Sequence, residues 1–246
     1  MHLNYSFFTL GLFNIRLTII EYSEANIIFA TAKSFNVPQN ITLSIKESWK
    51  EASSTGTNRF KLVVGSVLIF TIIGLLPYFF KHIEKRNGVV LHDWVLAQIP
   101  PHNVSVAIFI FIWGMGLLIL YRAIYKPQIY ILYVWALIVV TLVRLITISF
   151  VVLNPPIGLI PLADPLTGVF YGQAIITKDL FFSGHIATLT LMYLCLEKRT
   201  DKILGLISII IVACLLLVQH IHYTIDIVAS PFITYGCFRL VKSLLF

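Results

Sequence analysis

Six stretches of the chain read as almost unbroken apolar runs: 62–80, 104–121, 127–153, 180–196, 203–219 and 221–238, with short polar segments between them. A helix rises 1.5 Å per residue and needs roughly 17–25 apolar residues to cross ~30 Å of hydrocarbon. Each run therefore predicts a membrane-crossing helix. The expected fold class is all-α, a polytopic membrane protein built as a six-transmembrane-helix bundle. Runs one, two and five are uncharged, whereas the third is interrupted by Arg144, the fourth holds His185 and the sixth holds Asp226.

The first 60 residues break this pattern. Residues 1–15 are semi-apolar but short, Glu21 and Glu24 interrupt the next stretch, and 35–58 are polar with Lys46, Glu47, Lys50 and Glu51. The predicted division is thus a cytoplasmic or membrane-surface segment over 1–60 and a six-helix transmembrane catalytic domain over 61–246. Ala30-Thr31-Ala32 has the small residues of a signal-peptidase site, but no basic start and uninterrupted apolar stretch precede it, so cleavage there is not expected.

Composition reinforces the membrane reading. With 58% apolar and only 12% charged residues and a mean hydropathy of +0.90, the chain carries more apolar surface than a water-soluble core of this size can hide. That excludes a disordered tail, a disulfide-stapled secreted module and an ordinary cytosolic enzyme. The net charge of +7 does not point to nucleic acid, because the Lys and Arg residues cluster between the apolar runs as loop charges do. With the N-terminus inside, a six-span topology puts 13 basic residues on the cytoplasmic side and 4 on the other. This favours cytoplasmic termini, although Lys81, Lys85 and Arg86 after the first run pull the other way. Cys195, Cys214 and Cys237 all sit within apolar runs and read as packing residues.

An ionisable side chain inside a span costs ~2.5–3.5 kcal/mol on insertion scales, so such residues are usually paired or line a working cavity. Here they map to one end, the non-cytoplasmic one in this topology: Arg144 in the outer half of the third run, His185 near the start of the fourth, His222 and Asp226 at the start of the sixth. His222 and Asp226 are four positions apart, which on a helix stacks them and lets the carboxylate fix one imidazole nitrogen, leaving the other as a nucleophile. The plain alternative is a buried pair that locks two helical turns. Ser183-Gly184 ahead of His185 reads as a helix N-terminus, where backbone N–H groups favour an anion such as phosphate and His185 can act as general acid. The alternative is an N-cap serine beside an incidental histidine. Arg144 is the guanidinium placed to clamp phosphoryl oxygens, or else a structural partner of a carboxylate or carbonyls.

Three ordered motifs then carry a resemblance. Asp179, three residues and Ser183-Gly184-His185 form one; His222-Tyr223-Thr224-x-Asp226 form another; Arg144 and Thr147, followed by Leu153 and Pro156, form the third. Over residues 139–226 or so, the chain resembles the sphingomyelin synthase branch of the type 2 phosphatidic acid phosphatase superfamily. The resemblance implies a lipid phosphotransferase that moves a phosphoalcohol headgroup from a phospholipid donor to ceramide or a diacylglycerol-type lipid. His222 would attack phosphorus to form a phosphohistidine, Asp226 would orient it, and His185 would protonate the leaving group. Arg144, Asp179, Ser183, Gly184 and Tyr223 would surround the phosphate, with no metal and no cofactor, on the exoplasmic (lumenal, periplasmic or extracellular) side. The alternative is a phosphatase or phospholipase C-like hydrolase using the same histidines and Asp226.

The chain departs from that pattern at Thr177-Lys178, where the family has Cys-Gly; at Asn154, where it has Pro; and at Ala229-Ser230-Pro231, where a kink is expected. Gln219 and His220 stand where the superfamily's soluble-headgroup phosphatases carry an Arg, which favours transfer. The loop bearing His92, Asp93, Pro100 and Pro101 is given no catalytic part. A transporter or lipid scaffold would spread its ionisable residues through the bilayer depth or repeat them in matching halves, and the sequence does neither. The oligomeric state leaves no trace in the sequence.

Overall fold

The computed structural model describes residues 5–10, 15–20, 39–162 and 176–245, with side chains from residue 44 onward. The triplet at 30–32, Glu21 and Glu24 lie outside them. The chain divides into two compact units, 1–43 and 44–246. The first carries an antiparallel pair, β1 (Tyr5–Leu10) and β2 (Ile15–Ile20), in a register that sets Tyr5 opposite Ile20 and Leu10 opposite Ile15. Aromatic and β-branched residues at these positions suit a pleated strand. The apolar-run pattern had suggested no regular element there.

The second unit is a helical bundle. Its elements are α1 (Gln39–Ser54), which begins just before the unit boundary, α2 (Gly56–Ile83), α3 (Ser105–Tyr125), α4 (Pro127–Phe150), α5 (Gly184–Cys195), α6 (Arg199–Val218) and α7 (Thr224–Leu245). Among the described residues, α2, α3, α4, α6 and α7 are long and apolar enough to cross a membrane, so five spans stand where six were expected. The shortfall falls on the fourth run. There α5 has 12 residues, about 18 Å at 1.5 Å per residue, because Leu180–Ser183 form a turn ahead of it and the charged Glu197 and Lys198 follow it. None of its residues is exposed. It packs on α3, α4, α6 and α7, so its short length meets protein and not lipid. By contrast, α2 packs along α4 and shows Phe60, Val67, Phe70 and Tyr78 to the outside, as a lipid-facing helix does.

Polar ties hold each end of the bundle. At one end Arg122 donates two hydrogen bonds to the buried Asp201, at 2.7 and 3.0 Å, Lys126 pairs with Glu197, and the Trp49 indole donates to the Ile124 carbonyl at 2.8 Å. Trp135 reaches the Lys61 carbonyl at 2.9 Å across Gly65, where a Cβ would lie 2.8 Å from its Nε1.

At the other end, loops 84–104 and 151–162 are stitched together. Val89 N–H donates to Val152 O, Asn154 N–H donates to Val89 O, and the Asn154 amide both accepts from Gly88 N–H and donates to Gly88 O. A proline at 154 would lack that backbone N–H and both side-chain bonds, which gives a physical meaning to this departure from the family pattern.

Gln219, fully buried at the end of α6, accepts from Val104 N–H and donates to Ser105 Oγ and to the carbonyls of Ile160 and Pro161. His220 lies in the left-handed region at φ 56°, and its ring nitrogens are each 2.8 Å from a carbonyl, Ile157 O and Ile99 O. Both residues are thus occupied in joining the loops to the bundle.

Candidate active site

The loop-stitched end collects the C-termini of α2, α4 and α6 and the N-termini of α3, α5 and α7. The position of His222 follows from how α7 begins. The helix starts at Thr224, later than the apolar run predicted, so His222 and Asp226 do not stack along one helix. Asp226 stands at the third helical position and its Oδ2 reaches back to accept from Tyr223 N–H at 3.2 Å, the return contact of a capping box. The same oxygen lies 3.4 Å from His222 Nδ1, a close contact outside hydrogen-bonding geometry. His222 is 1% exposed and Asp226 0%, so water contributes little screening to this pair. Nδ1 faces the carboxylate, and Nε2 is the ring nitrogen that this contact leaves uncommitted.

Opposite it stands His185, the second residue of α5. The two imidazoles lie with ring centroids 6.1 Å apart at an interplanar angle of 65°, and Phe109 of α3 packs edge-on to His185 with centroids 6.5 Å apart. The turn before α5 is anchored to α7: Ser183 N–H donates to Asp226 O at 3.2 Å, and Ser230 Oγ contacts Ser183 O and Asp226 O at 3.1 and 2.6 Å. Both histidines are therefore referenced to one backbone position, Asp226. The helix runs on through Pro231 to Leu245.

Arg144 enters from α4. Its guanidinium pairs with Asp179 at 2.5 Å and donates from Nε to Phe182 O at 3.1 Å. It rests against Gly184, where a Cβ would come within 2.7 Å of Cζ. Thr147, one turn on, donates to Phe181 O at 3.1 Å. The Arg-x-x-Thr pair thus holds the backbone of the turn leading into Ser183-Gly184-His185. Ser183 is fully buried and its hydroxyl has no hydrogen-bond partner among the described residues; it leaves α5 without a side-chain cap at its start, where helix N–H groups lack intrahelical partners. Orphan donors, an uncommitted hydroxyl, a guanidinium and two imidazoles are a set of groups suited to a phosphoryl group.

Seven of the eight residues singled out from the sequence meet here: Arg144, Asp179, Ser183, Gly184, His185, His222 and Asp226. Asp179 does so as the carboxylate that holds Arg144, so any contribution to phosphate binding runs through that guanidinium. Tyr223 turns elsewhere. Its hydroxyl donates to Asn154 O at 2.9 Å and accepts from Leu91 N–H at 3.1 Å, which commits its one proton to the loops. Lys178, the extra cation of this chain, is held by the Arg86 carbonyl, while Glu84 accepts from the backbone N–H groups of Thr177 and Lys178. Asp93, given no catalytic part on sequence, is tied to the start of α7. It receives Thr224 N–H at 2.7 Å and Thr224 Oγ1 at 3.0 Å, 131 positions away, and no periodicity links residues so far apart.

A match to a known protein family falls on this same region. Residues 178–244 match the PAP2 superfamily C-terminal family model. Both histidine motifs lie within that match and Arg144 lies before it. Over 70 residues the chain is 39% identical to phosphatidylcholine:ceramide cholinephosphotransferase 2 of Homo sapiens and 37% identical to the protein of that name from Macaca fascicularis. These stretches cover 26% of this chain and 19% of each relative, so the similarity spans about a fifth of the relatives' length. The resemblance read from the motifs is borne out over this segment, in an integral-membrane helical protein.

Proposed function

We propose that this protein is an integral-membrane lipid phosphotransferase that moves a phosphoalcohol headgroup from a phospholipid to the hydroxyl of ceramide or a related lipid. One observation carries the reading: two imidazoles with centroids 6.1 Å apart, one of them backed by a buried carboxylate and the other next in the chain to Gly184, against which the Arg144 guanidinium rests. Rings this close can flank one phosphoryl group, with a near-attack contact of ~3–3.5 Å to phosphorus from one ring and a hydrogen bond of ~2.6–3.2 Å from the other to the leaving oxygen. His222 Nε2 attacks phosphorus, the bond from phosphorus to the diacylglycerol oxygen breaks, and its electron pair leaves on that oxygen, which takes a proton from His185. The acceptor hydroxyl then gives its proton to His185 and attacks the phosphohistidine, and the P–N electron pair returns to His222. Asp226 stabilises the cationic ring between the two steps, and Arg144 faces the charge that develops on the phosphoryl oxygens. Similarity to the cholinephosphotransferases supports phosphatidylcholine as donor and ceramide as acceptor. The excess of basic residues at the opposite end supports an exoplasmic site with cytoplasmic termini.

The test is turnover of headgroup-labelled phosphatidylcholine in reconstituted vesicles, with and without ceramide. A labelled sphingolipid that depends on ceramide is expected, and His222→Ala abolishes it while the variant still folds. Water-soluble label released at the same rate without ceramide identifies the hydrolase. An active His222→Ala variant removes the nucleophile assignment altogether.

A further inference from the structure

The start of α7 is capped from two directions. From within the helix, Asp226 serves Tyr223 N–H. From outside, Asp93 serves the next residue, taking Thr224 N–H on Oδ2 at 2.7 Å and Thr224 Oγ1 on Oδ1 at 3.0 Å. Asp93 Oδ1 also receives Val95 N–H at 3.0 Å and Leu96 N–H at 3.3 Å, so this carboxylate joins the 3-10 turn Leu96–Gln98 to the first turn of α7. Two positions earlier in the same loop, Leu91 N–H donates to Tyr223 Oη. The loop therefore grips both residues that come after His222, and Asp226 is left to divide one oxygen between the Tyr223 backbone and the His222 ring.

We infer that Asp93 is a positioning residue for the transfer reaction: by capping Thr224 from the 84–104 loop it fixes the first turn of α7 and thereby the approach of Asp226 to His222 Nδ1. The inference rests on the reading of His222 as nucleophile. A tyrosine at the N-cap position has no short oxygen to offer the helix start, whereas Ser, Thr, Asn or Asp supplies one from its own side chain; here the loop supplies it instead. Asp93 does not touch the reacting group. Its effect appears in the alignment of the attacking ring, which sets the rate after the lipid is bound.

Asp93→Asn tests this in the full-length protein. The substitution keeps the shape and one carbonyl oxygen, but an amide presents a donor where two oxygens now accept. In reconstituted vesicles, kcat for labelled phosphatidylcholine is expected to fall about tenfold to a hundredfold, the range tied to a displacement of order 1 Å at a reacting group. KM should stay within about twofold, because the loop's contacts to the helix do not hold the lipid. Amide hydrogen exchange at residues 224–227 should quicken while exchange in α3 and α6 is unchanged. Thr224→Val, which removes the hydroxyl contact and keeps the N–H contact, should lose only a few-fold in kcat, and this milder variant guards against misfolding of the first. Wild-type kcat in Asp93→Asn, or a rise in KM with kcat intact, overturns the positioning role while His222→Ala remains inactive. If wild type and His222→Ala are equally inactive toward phospholipid, the transferase reading fails and takes this role with it.

Discussion

Gly184→Ala is expected to separate catalysis from folding under the proposed function. A Cβ at that position would lie 2.7 Å from Arg144 Cζ and Nη1 and 2.8 Å from Nη2, against ordinary contacts of 3.4–4 Å. The guanidinium must withdraw by roughly 1 Å, a displacement that at a reacting centre costs on the order of a hundredfold, or ~2.7 kcal/mol of transition-state stabilisation. The fold should hardly notice. The atoms that must move are the far end of a flexible side chain, and alanine gains up to ~1 kcal/mol over glycine within a helix. That gain offsets part of a lost charge-assisted bond to Asp179 or Phe182 O, worth ~1.5–3 kcal/mol. The assay pairs initial-rate kinetics on labelled phosphatidylcholine with thermal unfolding in the same detergent, for Gly184→Ala, Arg144→Ala and the double variant. The expected pattern is a large drop in kcat/KM for each single variant, little further loss in the double, and a Tm for Gly184→Ala within a few degrees of wild type. Wild-type kcat/KM in Gly184→Ala would show that the Arg144 seat has no bearing on the reaction, and full additivity in the double variant would show that the two residues act separately.

The polar ties carry three further expected outcomes. Gln219→Leu leaves Val104 N–H without its acceptor and takes a donor from Ser105 Oγ in a buried setting; it should cost ~2–6 kcal/mol, at ~1–3 kcal/mol for each of the two groups deprived, read as a lower denaturation midpoint. Gly65→Ala drives the Trp135 indole off the Lys61 carbonyl and loosens α2 from α4, so Tm should fall, with quicker hydrogen exchange along α2 before any other helix. The third concerns pH. Burial alone would raise the Asp93 carboxyl, but the N–H and hydroxyl of Thr224 and the N–H groups of Leu96 and Val95 donate to it, and the net value lies below the ordinary 3.8. The stability this adds is fully present above the unfolded value and is lost as pH falls through the folded one. Wild type should therefore lose stability more steeply than Asp93→Asn below about pH 4, and parallel acid-unfolding curves would contradict the assignment.

Much of the bundle was legible because lipid imposes a length and a polarity on each span. The runs at 62–80, 104–121, 127–153 and 203–219 correspond to α2, α3, α4 and α6, since for helices facing lipid composition alone decides. Composition misled at 180–196, where the apolar residues of α5 face protein, and burial there sets no minimum length. The convergence of Arg144, His185 and His222 was legible for a related reason: each is too costly to place alone in hydrocarbon. The starts of α5 and α7 were not, because they depend on which group caps which N–H, and at Thr224 the cap comes from Asp93 in another loop. The same is true of Asn154 and Gly88, whose pairing exists only once two distant loops meet.

The enclosure of α5 by α3, α4, α6 and α7 also constrains how the protein is made. A growing chain that has emerged only as far as Cys195 exposes a 12-residue helix too short to lodge in a bilayer of ~30 Å and lacking two of its four neighbours. Stable membrane entry of that stretch has to wait for synthesis of α6 and α7, and truncations ending between 196 and 223 should leave it accessible to aqueous labelling reagents. Assembly of the His185 half of the site is therefore a late event in biogenesis, tied to the arrival of the very helix whose first turn brings His222.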